Sequence, residues 1–216
     1  MKIWTVTNQK GGAGKTVLAT NLAVEADRAK FKTLLIDLDP QQSATKWWEG
    51  REKETPLLIK SPYDQLTTNL DLAEKQGFEL VVIDTAGREG LRHTEAIERA
   101  TFCIIPCQPS LDDCRSALPT VEIIKNQKVP FAFVVTRTPT SGEDWIETKN
   151  SLSAWGLVCS IPTGERKCYK RAYAQSMGVS EFDPKDKGSL EVAKIFKWVR
   201  DKEKRLVSAT LESVAG

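Results

Sequence analysis

The chain has 216 residues, a length that one generous α/β domain fills and that is short for two. Its 31 Lys and Arg stand against 29 Asp and Glu, a net charge of +2, so bulk charge argues neither for nor against nucleic acid and only local clustering bears on it. No apolar run approaches the roughly 18 residues of a membrane span, so nothing reads as membrane-inserted.

Short apolar runs recur along the chain at 3–7, 33–37, 57–60, 80–84, 102–106, 131–136 and 158–161. Most are continuous and β-branched, the pattern of strands buried on both faces of a parallel sheet. Helical segments are expected between them near 16–30, 63–76, 91–99, 111–127, 143–155, 166–177 and 189–205. Such alternation predicts a doubly wound, mostly parallel α/β sheet with ligands at the carboxyl ends of its strands. The expected organisation is a single domain over 1–207 and a C-terminal tail over 208–216. The first strand begins at once, which leaves no room for a targeting peptide.

After that strand the chain turns to glycine: Asn8-Gln9-Lys10-Gly11-Gly12-Ala13-Gly14-Lys15-Thr16, then Val17-Leu18 at the start of a helical pattern. Glycines without a Cβ let the backbone curl with its N–H groups inward, and the helix start adds its own free N–H groups, so the loop is suited to phosphate oxygens. Lys15 would reach the β- and γ-phosphates and Thr16 would ligate Mg²⁺. The general pattern G-x-x-x-x-G-K-[ST] has its first glycine where this chain has Gln9, and a second lysine, Lys10, stands before the glycine pair. This loop resembles the deviant Walker A box of the ParA/MinD family of P-loop ATPases. The resemblance implies ATP and Mg²⁺ as cofactors and a homodimer when ATP is bound. In it Lys10 reaches the nucleotide held by the other copy, so Lys10 and Lys15 are both expected to take part in catalysis. Gly11, Gly12, Ala13, Gly14, Lys15, Thr16 and Val17 are expected at the nucleotide. Val17 stands where the family commonly has a second threonine.

The second strand ends in Ile36-Asp37-Leu38-Asp39-Pro40-Gln41. Period two puts Asp37 and Asp39 on one face at the carboxyl end. The box resembles the family's switch I, which implies that Asp39 orients or activates the hydrolytic water and Asp37 supports the metal. The strand Leu80–Asp84 ends in an aspartate, the Walker B arrangement, so Asp84 is expected to hold Mg²⁺ directly or through water. Asp84-Thr85-Ala86-Gly87 resembles switch II, and Gly87 and Gly90 bracket Arg88-Glu89 as hinges would. Arg88 is either a finger onto the nucleotide or an ordinary ion-pair partner. His93, the single histidine, reads as exposed and not catalytic.

Five cysteines, Cys103, Cys107, Cys114, Cys159 and Cys168, form no C-x-x-C pair and suit free thiols in a reducing compartment. Gln108-Pro109-Ser110 resembles a family loop near the dimer face. Thr136-Arg137 ends a strand where P-loop folds commonly recognise the base, and Pro162 opens a turn that in the family lies near the adenine edge. Trp47-Trp48 serves either as a partner patch or as helix packing.

Two stretches are locally basic. One holds Arg166, Lys167, Lys170 and Arg171. The other, on the last long helix, holds Lys194, Lys197 and Arg200 away from a stripe of Val192, Ile195, Phe196 and Val199. These residues read either as a solvated face or as phosphate contacts without sequence readout. The resemblance favours non-specific DNA. The terminal residues lack the lysines and bulky apolar groups of an interfacial helix, so no membrane partner is expected. The family reading is a cytoplasmic, nucleoid-associated ATPase, slow and stimulated by a ParB-like centromere-binding or cargo-adaptor protein. It would partition plasmid or chromosomal DNA or position another cargo. The alternative is a nucleotide-switched assembly or positioning protein that never touches DNA.

Overall fold

The computed structural model describes residues 1–87, 92–139 and 144–214, leaving aside the side chains of 92, 93, 144 and 207–214. Among the described residues the strands are β1 (Lys2–Val6), β2 (Thr33–Asp37), β3 (Leu57–Lys60), β4 (Leu80–Asp84), β5 (Phe102–Cys107), β6 (Phe131–Val135) and β7 (Leu157–Val158). The helices are α1 (Lys15–Arg28), α2 (Ser43–Glu49), α3 (Leu66–Lys75), α4 (Arg92–Glu98), α5 (Leu111–Ser116), α6 (Leu118–Asn126), α7 (Asp144–Ser153), α8 (Lys167–Ala174), α9 (Val179–Phe182) and α10 (Lys187–Val214). The strands form one sheet in the order β3-β2-β4-β1-β5-β6-β7, and every pairing is parallel. From β1 the chain moves to one side and later, at β5, to the other. The phosphate loop therefore leaves β1 at the crevice where the winding direction changes.

The strands are covered on both faces, as their continuous apolar runs require. Trp4, Val6, Leu35, Val82, Ile104 and Val134 meet Leu18 and Leu22 of α1 and Ile195, Phe196 and Val199 of α10. The alternate positions turn the other way. Ile36, Val81 and Ile83 meet Leu66 and Leu70 of α3, and Cys103, Ile105 and Phe133 meet Val121, Ile124 and Leu152. The expected apolar stripe of α10 is buried throughout. Trp47 is buried in the first core and Trp48 packs at its edge, its Nε1 donating to the Pro56 carbonyl at 2.8 Å. Helix packing thus accounts for both tryptophans.

Several expected boundaries move. The helix expected over 111–127 is two, α5 and α6, because Pro119 in the first turn of α6 has no N–H to continue the ladder. The strand expected over 158–161 shortens to β7, although Cys159 N still bonds to the Phe133 carbonyl at 2.8 Å. The last helix is longer than 189–205, running from Lys187 to Val214. Helices α2 and α9 lie where no element was expected. All five cysteines are free and buried, among strands and helices of the cores. Arg88, Glu89 and Gly90 lie outside the described residues, as do the side chain of His93 and residues 215–216.

Candidate nucleotide-binding site

Residues 7–14 join β1 to α1 as a loop cradled by its neighbours. Gly12 and Gly14 have φ of 79° and 93°, the left-handed region that glycine enters without strain. Gly14 is also the cap of α1 and offers no side chain to the free N–H groups of the first turn. Four side chains hold the loop from beneath. Asn8 Nδ2 donates to the Pro106 carbonyl at 2.8 Å and Asn8 Oδ1 accepts from Lys10 N at 3.0 Å. Gln108 Nε2 donates to the Gly12 carbonyl at 2.8 Å, and the Thr120 hydroxyl accepts from Gln9 N at 3.3 Å. Thr136 Oγ1 donates to the Ala13 carbonyl at 2.9 Å. Thr136, at the strand end where P-loop folds commonly recognise the base, therefore uses its hydroxyl to brace the loop. Gly87 sits close enough over the loop that a Cβ there would lie 3.3 Å from Gly11 and from Lys15 Nζ.

Beneath the loop lie the charges. Lys15 is 7 % exposed and Nζ donates to the Lys10 carbonyl at 3.2 Å. Burial lowers its pKa, while Asp84 and Asp39 act the other way. Asp37 and Asp84 are partners across the β2–β4 register at the carboxyl edge. Asp37 is fully engaged: Oδ1 accepts from Asp39 N at 3.0 Å, and Oδ2 from Thr45 N and Thr45 Oγ1, both at 2.8 Å. Its pKa is raised by burial, against those hydrogen bonds.

Asp84 is different. It is 0 % exposed and neither carboxylate oxygen has a hydrogen-bond partner of good geometry. Burial pushes its pKa up to about 8, with the neighbouring Thr16 hydroxyl holding it down in part. A buried carboxylate left unpaired is costly, and a cation beside it would remove that cost. No cluster of three or more His, Cys, Asp or Glu suited to a metal occurs among the described residues. A single buried carboxylate beside a hydroxyl suits Mg²⁺, which keeps waters and takes one or two carboxylates together with phosphate oxygens. Asp84 and the Thr16 hydroxyl would hold such an ion, whereas both Asp37 oxygens, expected to support the metal, are already taken by Asp39 N and by Thr45 of α2.

Asp39 is half-buried, and its Oδ1 accepts from Gln41 N at 2.9 Å. With Gly11, Gly12, Lys15, Thr16, Ala86 and Gly87 it lines a cavity of about 470 Å³. A second cavity, of about 290 Å³, opens beside it between α1 and α8, with Val17, Leu18, Asn21, Thr163, Tyr169 and Tyr173 in its walls. Gly14 and Val17 belong to both cavities, and so does Arg137, which has a left-handed φ of 54°. Pro162 lines neither; the run from Thr163 to Arg166 takes the place expected of it. The sequence signal for this wall was Tyr169 and Tyr173, one helical turn apart.

Lys10, expected to face another subunit, is 35 % exposed and its Nζ lies 2.9 Å from Asp113 Oδ2 within its own chain. The hydrogen bond to Asp113 raises its pKa. Ser110, at the end of the Gln108-Pro109-Ser110 loop, caps α5 by accepting from Asp113 N at 3.1 Å. Asp113 was not anticipated: nothing local distinguishes it from Asp112.

The basic residues are unequal. Arg166 is ion-paired to Glu191, with Nε and Nη2 at 2.8 and 2.5 Å from Oε1, and lines the second cavity. Lys167, Lys170, Arg171, Lys194 and Lys197 are exposed. Arg200 is half-buried with its guanidinium 5.9 Å from the Phe196 ring centre.

A glycine loop, a buried carboxylate without a well-placed partner beneath it and two adjoining cavities thus meet at the carboxyl edge of the sheet. The family model described as "CobQ/CobB/MinD/ParA nucleotide binding domain" matches residues 4–194. The chain belongs to this family. It is 29 % identical over 227 residues, 99 % of this chain and 92 % of the other, to the "Maintenance of carboxysome distribution protein A" of Gloeobacter kilaueensis. Among solved structures, a Cyanothece McdA variant in complex with ATP superposes with a TM-score of 0.71 at 20 % identity, covering 93 % of this chain and 95 % of that one. The septum site-determining protein MinD of Pyrococcus horikoshii, complexed with Mg-ADP, superposes with a TM-score of 0.76 at 14 % identity, covering 90 % and 94 %. These structural likenesses carry the α/β P-loop fold.

Proposed function

We propose that the protein is an ATPase of the ParA type that binds ATP with Mg²⁺ and closes into a sandwich homodimer. In that state it binds DNA without reading sequence, and hydrolysis opens it again, so that it partitions DNA or distributes a cargo over it. The observation that carries this reading is the buried, unpartnered Asp84 beneath a glycine loop that also presents Lys15 and Thr16. Bound there, Mg²⁺ would neutralise charge on the β- and γ-phosphates. Lys15 places its ammonium at the same phosphates, the loop N–H groups orient them, and Asp39 holds the attacking water and takes its proton. Val17, Thr136 and Arg137 border the nucleotide. Lys10 supplies the partner's nucleotide with a further cation after exchanging Asp113 for it. Contacts that exist only with the γ-phosphate in place make the dimer the favoured population. Turnover is slow until a ParB-like or cargo-adaptor protein engages, and the work is done in the cytoplasm at the nucleoid surface. The exposed lysines of α8 and α10 would meet DNA phosphates.

A second reading has support of its own. The chain-long similarity to a carboxysome-distribution protein favours a protein cargo as what is moved. Pairing of Arg166 with Glu191 removes one expected DNA contact. ATP turnover with and without Mg²⁺, and DNA retention with and without ATP, test both. Lys15→Ala should abolish tight ATP binding and turnover; turnover at the unsubstituted rate would overturn the site. DNA retention that ignores ATP would leave the cargo reading alone.

A further inference from the structure

The helix that follows Asp39 is held from two sides. On the sheet side Asp37 Oδ2 takes both Thr45 N and Thr45 Oγ1 at 2.8 Å. On the other side α2 is tied to the segment formed by α8 and α9. Tyr173 OH donates to the Ser43 carbonyl at 2.7 Å, Trp47 Nε1 to the Met177 carbonyl at 3.3 Å, and Arg51 Nη1 to the Ser176 carbonyl at 3.0 Å. Arg51 is also paired with Glu181 at 2.9 Å, both side chains nearly inaccessible. The last of these anchors belong to the distal end of α2. The tyrosine alone among them takes hold of the residue where α2 begins, next to the turn that carries Asp39.

That turn is short and depends on what flanks it. Gln41 N bonds to Asp39 Oδ1 and Gln42 N to the Asp39 carbonyl, and Gln42 sits at φ 55°, where a side chain is held only by surrounding contacts. Tyr173 faces two ways. Its ring is part of the wall of the 290 Å³ cavity between α1 and α8, and its hydroxyl holds Ser43, which lines the phosphate cavity. Burial, then the nearby carboxylates of Asp84 and Asp37, raise the phenol pKa to about 12, so the hydroxyl remains a donor throughout the neutral range.

We infer that Tyr173 is a positioning residue: a base packed against its ring fixes the hydroxyl that holds the start of α2, and thereby the turn bearing Asp39. This rests on the nucleotide reading above and adds to it a path by which the base, remote from the chemistry, sets the geometry of the hydrolytic aspartate. A ligand with phosphates alone would fill the loop without engaging the lever.

The test compares Mg²⁺-ADP with Mg²⁺-pyrophosphate on the full chain at saturation, followed by hydrogen exchange of the amides of 39–47. In the unsubstituted protein ADP should slow exchange there about fivefold more than pyrophosphate does, roughly the equilibrium effect of one hydrogen bond. Tyr173→Phe keeps the ring and should lose that base-dependent difference while still saturating with ADP. Tyr169→Phe is the control, because Tyr169 lines the same cavity but its hydroxyl goes to Glu191 and Gly188. It should keep the difference. The inference is overturned if Tyr173→Phe retains the fivefold difference, if Tyr169→Phe loses it equally, or if pyrophosphate protects 39–47 as well as ADP does. Failure of the unsubstituted protein to bind ADP at all would instead bring down the nucleotide reading, and this inference with it.

Discussion

Replacing Asp84 by asparagine should stabilise the protein in the absence of metal and nucleotide. The folded carboxyl group has its pKa pushed up to about 8 from an ordinary 3.8, chiefly by burial. The sign follows from proton counts. Between those two values the unfolded chain has released the proton and the folded chain still holds it, so stability falls as pH rises. At about 1.4 kcal/mol per pH unit, the loss by pH 7 is about 4 kcal/mol relative to pH below 4. Asparagine has no proton to lose, so the variant lacks this slope. Part of the gain is offset, because the asparagine amide is buried where the carboxyl oxygens have no hydrogen-bond partner and its N–H groups are left unpaired. A net gain of about 2–4 kcal/mol at pH 7 corresponds to a rise in Tm of roughly 5–15 °C for a chain of this size. Thermal unfolding from pH 5 to pH 8 in chelator-treated buffer measures it. Mg²⁺-ADP should then raise Tm for the unsubstituted protein and much less for Asp84→Asn. An Asp84→Asn variant that melts at or below the unsubstituted protein across the whole pH range would refute the reasoning.

Freed from the Asp113 carboxylate of its own chain, Lys10 in Asp113→Asn should let the ATP-bound dimer form at several-fold lower concentration, whereas Lys10→Ala should not dimerise with ATP; an unchanged dimer fraction in Lys10→Ala, by light scattering, would remove Lys10 from the interface. Asp39→Ala should trap the ATP-bound state, with nucleotide bound but phosphate release cut at least about 100-fold, within the range of a lost general base. The Arg51–Glu181 pair has side chains only 2 % and 4 % exposed, and Lys53 also lies 3.2 Å from Glu181, so Arg51→Ala should cost about 1–3 kcal/mol in denaturant melts through lost hydrogen bonds rather than a stranded charge. Removing Lys194, Lys197 and Arg200 together should weaken DNA binding and reduce its dependence on salt by about three phosphate contacts; an unchanged salt slope would move the DNA surface elsewhere.

Much of this molecule was legible in the chain alone. The strands read as strands because both faces of a parallel sheet must be apolar, and the phosphate loop because only glycine at positions such as 12 and 14 permits the required turn. Asp37 and Asp84 could be named because each closes an apolar run, and strand ends in such a sheet gather at one edge. What local pattern cannot carry is pairing over distance. That Lys10 meets Asp113, that Thr136 braces Ala13, and that Tyr173 reaches Ser43 are contacts across 103, 123 and 130 positions, set by how helices seat on the sheet. The same holds for the split between α5 and α6 and for α2, a seven-residue helix too short to persist by its own propensity and held by bonds at both of its sides. Composition and periodicity decided where the chain is apolar and where it must turn. Which carboxylate is left without a partner, and which is already taken, was decided only when the sheet and its covering helices closed around them.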